Sequence, residues 1–154
     1  MKILVIGGAG FIGSHLCEAY SGNHEVTSID NYISGKTDNH IDHVEYINLD
    51  AENILSLDKK FDIVFHLGEY SRVEQSLTKI DFVLKNNISP TLNVLKFAKK
   101  SNAKLIYAGS STKFADDGKN RLKSPYSFSK WQNSELVKFY CELNQMPYAI
   151  TYFY

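Results

Sequence analysis

The chain has little cysteine, no surplus of charge and no long apolar run, and each shortage excludes a class of protein. Its two cysteines, Cys17 and Cys141, lie far apart inside separate helical patterns. They are too few for a disulfide framework and show no metal-ligand spacing, so they read as reduced, buried thiols and no metal is expected. Lysine plus arginine number 17 and aspartate plus glutamate number 17, a formal net charge of +0. No bulk field then favours nucleic acid or an anionic membrane, and the pairs Lys59-Lys60 and Lys99-Lys100 read as solvated faces. Nothing approaches the roughly 20 apolar residues of a membrane span. Met1 leads straight into "KILVIG", which is too short for a signal peptide's apolar core and lacks a cleavage site. No internal repeat or low-complexity tract is visible. These exclusions predict a cytoplasmic protein, and 154 residues suit one domain with a sizeable core.

What is present is an alternation of short β-rich runs with helical patterns. The runs are residues 2–7, 25–30, 44–49, 62–67, 104–109 and 148–154. Several are continuously apolar, as expected for strands covered on both faces. Helical patterns fall near 11–20, 80–101 and 127–144, the last with an apolar stripe at Phe128, Trp131, Leu136, Tyr140 and Leu143. Residues 115–125, "ADDGKNRLKSP", form the clearest polar loop. This order predicts an α/β fold with a doubly wound parallel sheet, of the Rossmann type, over residues 1–154. The sequence ends at Tyr154, inside a predicted strand, as expected of a domain cut short at its C-terminal side.

The first strand runs into "GGAGFIG", with Gly7, Gly10 and Gly13 spaced three apart. Gly7 suits a sharp turn, Gly10 lets backbone approach a phosphate, and Gly13 lets the following helix pack closely on the strand. Free N–H groups of Phe11, Ile12 and Gly13 at the helix start would face the anion. A tight turn alone would also account for the pattern. Asp30 adds to it: a carboxylate at the end of the second strand, 20 residues beyond Gly10, is placed to accept from both hydroxyls of an adenosine ribose. That carboxylate repels a 2′-phosphate, and no arginine follows it in "SIDNYISGK", so NAD is expected rather than NADP; Lys36 is the one cation nearby.

A tyrosine four residues before a lysine on a helix sets a phenol beside an ammonium, which lowers the phenol's pKa toward a useful acid/base range. Two such pairs occur. Tyr32 and Lys36 lie in a glycine-containing loop, where no helix would stack them, whereas Tyr126 and Lys130 follow Pro125 and open a helical stripe. The second pair is therefore the catalytic candidate. The strand at 104–109 runs into Ser110, Ser111 and Thr112, which places hydroxyls at the sheet's carboxyl edge, where open α/β folds bind ligands. Ser110 could there polarise a substrate oxygen, though serines after strands are more often helix caps.

Together these residues resemble the extended short-chain dehydrogenase/reductase superfamily, and within it the NAD-dependent nucleotide-sugar epimerase/dehydratases of the UDP-glucose 4-epimerase type. The likeness runs through "GGAGFIGSH", "DNYISGK", "NLD" at 48–50, "FHLG" at 65–68, "NNISPTLNVL" at 86–95, "YAGSSTKFA" at 107–115, "PYSFSK" at 125–130 and "TYFY" at 151–154. It implies that Leu49 and Asp50 contact adenine, that Asp30 and Asn31 hold its ribose, and that Leu67 and Gly68 line the cofactor path. Asn87 matches a residue that braces the nicotinamide region through the backbone. Ser110, Tyr126 and Lys130 match the catalytic set, with Lys130 also on the nicotinamide ribose. The implied reaction is transient oxidation of a nucleotide sugar by bound NAD, followed by its re-reduction on the other face. The resemblance also implies a homodimer through the helices near 80–101 and 127–144, with Phe82, Val83, Phe97, Trp131 and Phe139 serving either that seam or the core.

The departures are specific. Gly68-Glu69 stands where relatives carry a small pair, which puts a charge near the cofactor path, and Pro90 replaces a common glycine. Residues 113–115 read "KFA" in place of "VYG". Ser111 and Thr112 replace the Asp-Glu pair used for water elimination, which argues against a 4,6-dehydratase. Thr151 and Tyr154 occupy positions that are often Arg and Asn, the Asn usually meeting substrate. Relatives run about twice as far, so the substrate domain is essentially absent from this chain. A non-catalytic NAD-binding sensor or scaffold, and an NAD(P)-dependent reductase, stay open beside the epimerase reading.

Overall fold

In the computed structural model, which describes residues 1–115 and 117–153, six strands form one parallel sheet. They are β1 (Lys2–Ile6), β2 (Glu25–Asp30), β3 (Glu45–Asn48), β4 (Ile63–His66), β5 (Lys104–Ser110) and β6 (Tyr148–Phe153). The helices are α1 (Phe11–Ser21), the short α2 (Val73–Ser76), α3 (Ile80–Ser101) and α4 (Pro125–Leu143). The strand order β3-β2-β1-β4-β5-β6 is that of the doubly wound Rossmann fold.

The apolar run of β1 shows why the sheet is covered on both sides. Leu4 and Ile6 face a core shared with Val94, Leu95 and Phe97 of α3 and Val137 and Cys141 of α4. Ile3 and Val5, one residue out of phase, face a second core with Cys17 of α1, Val26 and Phe65. Alternate side chains of a strand point to opposite faces, so burying both faces requires an unbroken apolar sequence. Both cysteines are free and buried, and burial pushes each thiol up to about 11, so neither is a reactive thiolate.

Helix boundaries follow local chemistry. α4 starts at Pro125, two residues before the sequence pattern suggests, because the Ser124 hydroxyl accepts from Ser127 N (3.1 Å) and Pro125 fits the first helical position. The crossover between β3 and β4 is a 3₁₀ segment, Ala51–Ser56, rather than an α-helix. Within the polar loop at 115–125, Asp116 lies outside the described residues, as does Tyr154. Among the described residues no helix is long and apolar enough to cross a membrane, and no group of three or more His, Cys, Asp or Glu is placed to hold a metal.

The chain winds one way from β1 to β3 and the other way from β4 to β6, so a crevice opens at the carboxyl ends of β1 and β4. There Leu67 N donates to Ile6 O (2.9 Å) and Gly7 N donates to Ile29 O (2.8 Å), which ties the two loops to the sheet.

Candidate active site

A cleft of about 530 Å³ occupies this crevice, within the size range of cofactor pockets. Its lining includes Gly7, Gly10, Phe11, Ile12, Gly13, Asp30, Asn31, Leu49, Asp50, Leu67, Gly68, Tyr126 and Lys130. Of the site residues expected from sequence, only Ser110 and Asn87 are not on its wall.

At one end the glycine loop forms the floor. Gly7 has φ +87°, and a Cβ there would come within 2.9 Å of the Gly68 backbone. A Cβ on Gly13 would meet the Gly7 carbonyl at 2.1 Å, so loop and helix touch backbone to backbone. Gly10 caps α1 without a side chain, which leaves first-turn N–H groups to an outside acceptor. Phe11 stands 78% exposed at the cleft rim.

Asp30 does more than the sequence suggests. Its Oδ2 accepts from Ala9 N (3.0 Å) and its Oδ1 from Tyr32 N (2.8 Å), so the carboxylate clamps the glycine loop to the end of β2 while lining the cleft. Beside it Asn31 Nδ2 donates to Asp50 Oδ2 (2.8 Å), and Asp50 Oδ1 caps the 3₁₀ turn by accepting from Glu52 N (2.8 Å). Tyr32 has φ +58° in a loop and lies next to His40, so the Tyr32/Lys36 pair is not stacked on a helix.

At the other end Tyr126 and Lys130 sit one turn apart on α4. The half-buried Tyr126 has no hydrogen-bond partner for its phenol among the described residues. Lys130, by contrast, is 5% exposed and held by two acceptors: Nζ lies 2.8 Å from Glu69 Oε2 and donates also to the Ala108 carbonyl. Ser110 lies just past this edge, but its hydroxyl is occupied with Thr112, at 3.0 Å from Oγ1 and 3.3 Å from N. It caps the turn Ser111–Lys113, the commoner role for a serine after a strand. Asn87, wholly buried in α3, receives Tyr70 N on Oδ1 (2.8 Å) and donates through Nδ2 to Tyr70 O (3.2 Å) and Ser129 Oγ (3.0 Å). It braces the loop after β4 through backbone and joins that loop to α4.

Sequence reasoning noted a charge at Glu69 but missed the network built around it. Glu69 is 8% exposed, lines the cleft, and accepts from Tyr107 Oη (2.9 and 3.0 Å), Asn133 Nδ2 (2.9 Å) and the Thr91 hydroxyl (2.9 Å). His66 Nε2 lies 3.0 Å from that same hydroxyl and 3.7 Å from Glu69 Oε1. Burial opposes a charge on Glu69, yet the Lys130 ammonium and the hydrogen bonds from Lys130 and Thr91 hold its carboxyl below the ordinary value. Burial pushes His66 down to about 4, so it stays neutral, and burial with the Glu69 charge lifts Tyr107 well above the usual phenol range. The available signal was spacing: Asn87 and Thr91 on α3, and Lys130 and Asn133 on α4, are pairs of polar residues one turn apart on the helix faces that are buried.

The chain is matched over residues 3–153 by the model of the NAD dependent epimerase/dehydratase family. It belongs to that family. Similar members include the UDP-N-acetyl-alpha-D-glucosaminuronate decarboxylase of Bacillus cytotoxicus, 35% identical over 71% of this chain and 36% of the relative. Among solved structures, a UDP-galactose 4-epimerase superposes with a TM-score of 0.89 at 28% identity, over 97% of this chain and 54% of that one. The UDP-N-acetylglucosamine 4-epimerase of Methanobrevibacter ruminantium, in complex with UDP-N-acetylmuramic acid, superposes with a TM-score of 0.84 at 30% identity, over 97% and 53%. The chain thus spans about half the length of these solved epimerases and about a third of the decarboxylase.

Proposed function

We propose that this chain is an NAD-dependent nucleotide-sugar epimerase or the cofactor-binding half of one. One observation carries the reading: a single cleft runs from the glycine loop and Asp30 to Tyr126, whose phenol has no hydrogen-bond partner among the described residues, one helical turn from Lys130. The glycine floor fits a dinucleotide, because close backbone packing at Gly7 and Gly13 and the side-chain-free cap at Gly10 leave the first-turn N–H groups of α1 for the pyrophosphate. Asp30 and Asn31 hold the adenosine ribose, Leu49 and Asp50 flank adenine, and Leu67 and Gly68 border the path. Bound NAD supplies the capacity to take up a hydride and return it. Tyr126 moves the proton of the sugar hydroxyl, and Lys130 stands by the nicotinamide ribose. Ser110 belongs to this set only if its hydroxyl leaves Thr112, while Asn87 acts at one remove by fixing Tyr70.

The deciding experiment has two parts. Mass spectrometry of cofactor released from the purified chain is expected to show NAD. UDP-, GDP-, CDP- and dTDP-sugars are then supplied, and an epimer is expected without accumulation of reduced cofactor. Bound NAD with no turnover of any sugar would favour the sensor or scaffold, and stoichiometric NADH would favour a reductase.

A homodimer is part of the proposal. Of the five residues considered for its seam, Val83 and Phe97 are buried in the core and Trp131 is half-buried, with the Arg121 guanidinium 5.0 Å from its ring centre. Phe82 and Phe139 stay exposed on α3 and α4, as do Leu92 and Leu143. These carry the seam, and light scattering at micromolar concentration checks for a dimer.

A further inference from the structure

Glu69 sits where the family resemblance leads one to expect a small residue, and a carboxylate there needs a reason. It is not a stray surface charge. Side chains from four elements converge on it: His66 from β4, Thr91 from α3, Tyr107 from β5, and Lys130 with Asn133 from α4. Its two oxygens receive hydrogen bonds at 2.8–3.0 Å, and its side chain is 1% exposed. Both Glu69 oxygens are thus satisfied several times over, which holds the carboxylate in place. The same residue also lines the cleft, beside Tyr126, Lys130, Ala108 and Gly109.

The consequence concerns charge. With a small residue at position 69, the Lys130 ammonium would face this end of the cleft as an uncompensated positive charge in a low-dielectric setting. Here ammonium and carboxylate are 2.8 Å apart and cancel. A nicotinamide ring is cationic when oxidised and neutral when reduced, so the net charge beside it biases which form is held. We propose that Glu69 sets the redox poise of the cofactor site, cancelling the Lys130 charge beside the nicotinamide and so favouring the oxidised form. A catalyst that borrows a hydride and returns it begins each cycle from oxidised cofactor, and Glu69 keeps the resting site in that state. The inference rests on the NAD reading above.

The test is the ratio of dissociation constants for NADH and NAD⁺, measured calorimetrically on the full chain with each pure dinucleotide. The two forms share almost every contact except the ring charge, so a general loosening of the site cancels in the ratio. Glu69→Gln keeps the shape and removes the charge, and is expected to shift the ratio about tenfold toward NADH. That corresponds to about 30 mV in the two-electron potential of the bound couple. An unchanged ratio overturns the proposal. If Glu69→Gln fails to fold because it strands the ammonium, the same shift is read between Lys130→Met and the double variant Glu69→Gln/Lys130→Met. Those two again differ only in the Glu69 charge. Failure of the unmodified chain to bind either dinucleotide overturns the NAD reading itself, and the inference with it.

Discussion

At the glycine-loop end of the cleft, the groups that face a ligand are backbone N–H donors and carboxylates anchored to the backbone N–H groups of Ala9, Tyr32 and Glu52. At the α4 end Glu69, Tyr126 and Lys130 line the cleft, and Glu69 and Lys130 are buried and bonded into a set of side chains from four elements behind them. The first end obtains its shape from residues that lack a side chain, since Gly7, Gly10 and Gly13 leave room and Asp30 ties the loop down. The second obtains its shape from polar side chains packed into the core around Glu69. Rigidity at the glycine loop is therefore steric, while at Glu69 it depends on charge and hydrogen bonding.

The largest test of that contrast is Tyr126→Phe. Removing the hydroxyl is expected to lower epimerase turnover by about 10³-fold, the scale of a lost acid/base group, with NAD affinity held within about twofold. Comparable turnover in the variant would remove Tyr126 from the chemistry. Gly13→Ala attacks the other end: its Cβ would stand 2.1 Å from the Gly7 carbonyl, so loop or helix must shift. A loss of about 3 kcal/mol in urea denaturation is expected, with NAD binding weakened at the same time.

The third test uses pH. His66, ordinarily near 6.5, is pushed down to about 4 by burial. Between those values the unfolded chain binds a proton that the native chain refuses, so stability falls as pH drops from 6.5 toward 4. Integration of the linkage gives a loss of about 2 kcal/mol between pH 7 and pH 5. Denaturation curves at the two pH values measure it, and His66→Gln is expected to flatten the slope across that window. The smallest effect belongs to Ser124→Ala, which removes the α4 cap and is expected to cost about 1 kcal/mol in thermal unfolding without altering the Glu69 network.

The same contrast explains what could be read from the chain alone. The unbroken apolar strands, the glycine spacing and the acid 20 residues on are local patterns, and local patterns survive in a linear sequence. Tyr126 and Lys130 are also local, one helical turn apart. Glu69 was visible as an oddity beside Gly68, but its partners lie 22, 38, 61 and 64 residues away, and no local pattern joins them. Ser110 is ambiguous for the opposite reason: a hydroxyl at a strand end is placed for catalysis and for capping alike, and here it accepts from Thr112 N. The 3₁₀ crossover at Ala51–Ser56 was likewise invisible, because a short connection carries no helical stripe.

The parallel sheet has a consequence for the order in which the molecule can assemble. β1 pairs on one side with β2, about twenty residues on, and on the other with β4, about sixty residues on. Loop closure over the longer span is slower, and no local hairpin exists to shortcut it. As the chain leaves the ribosome, the β1 edge that will border the cleft stays open until residues 63–66 have been made. The carboxyl ends of β1 and β4 meet only then, and the α4 side of the cleft is made later still.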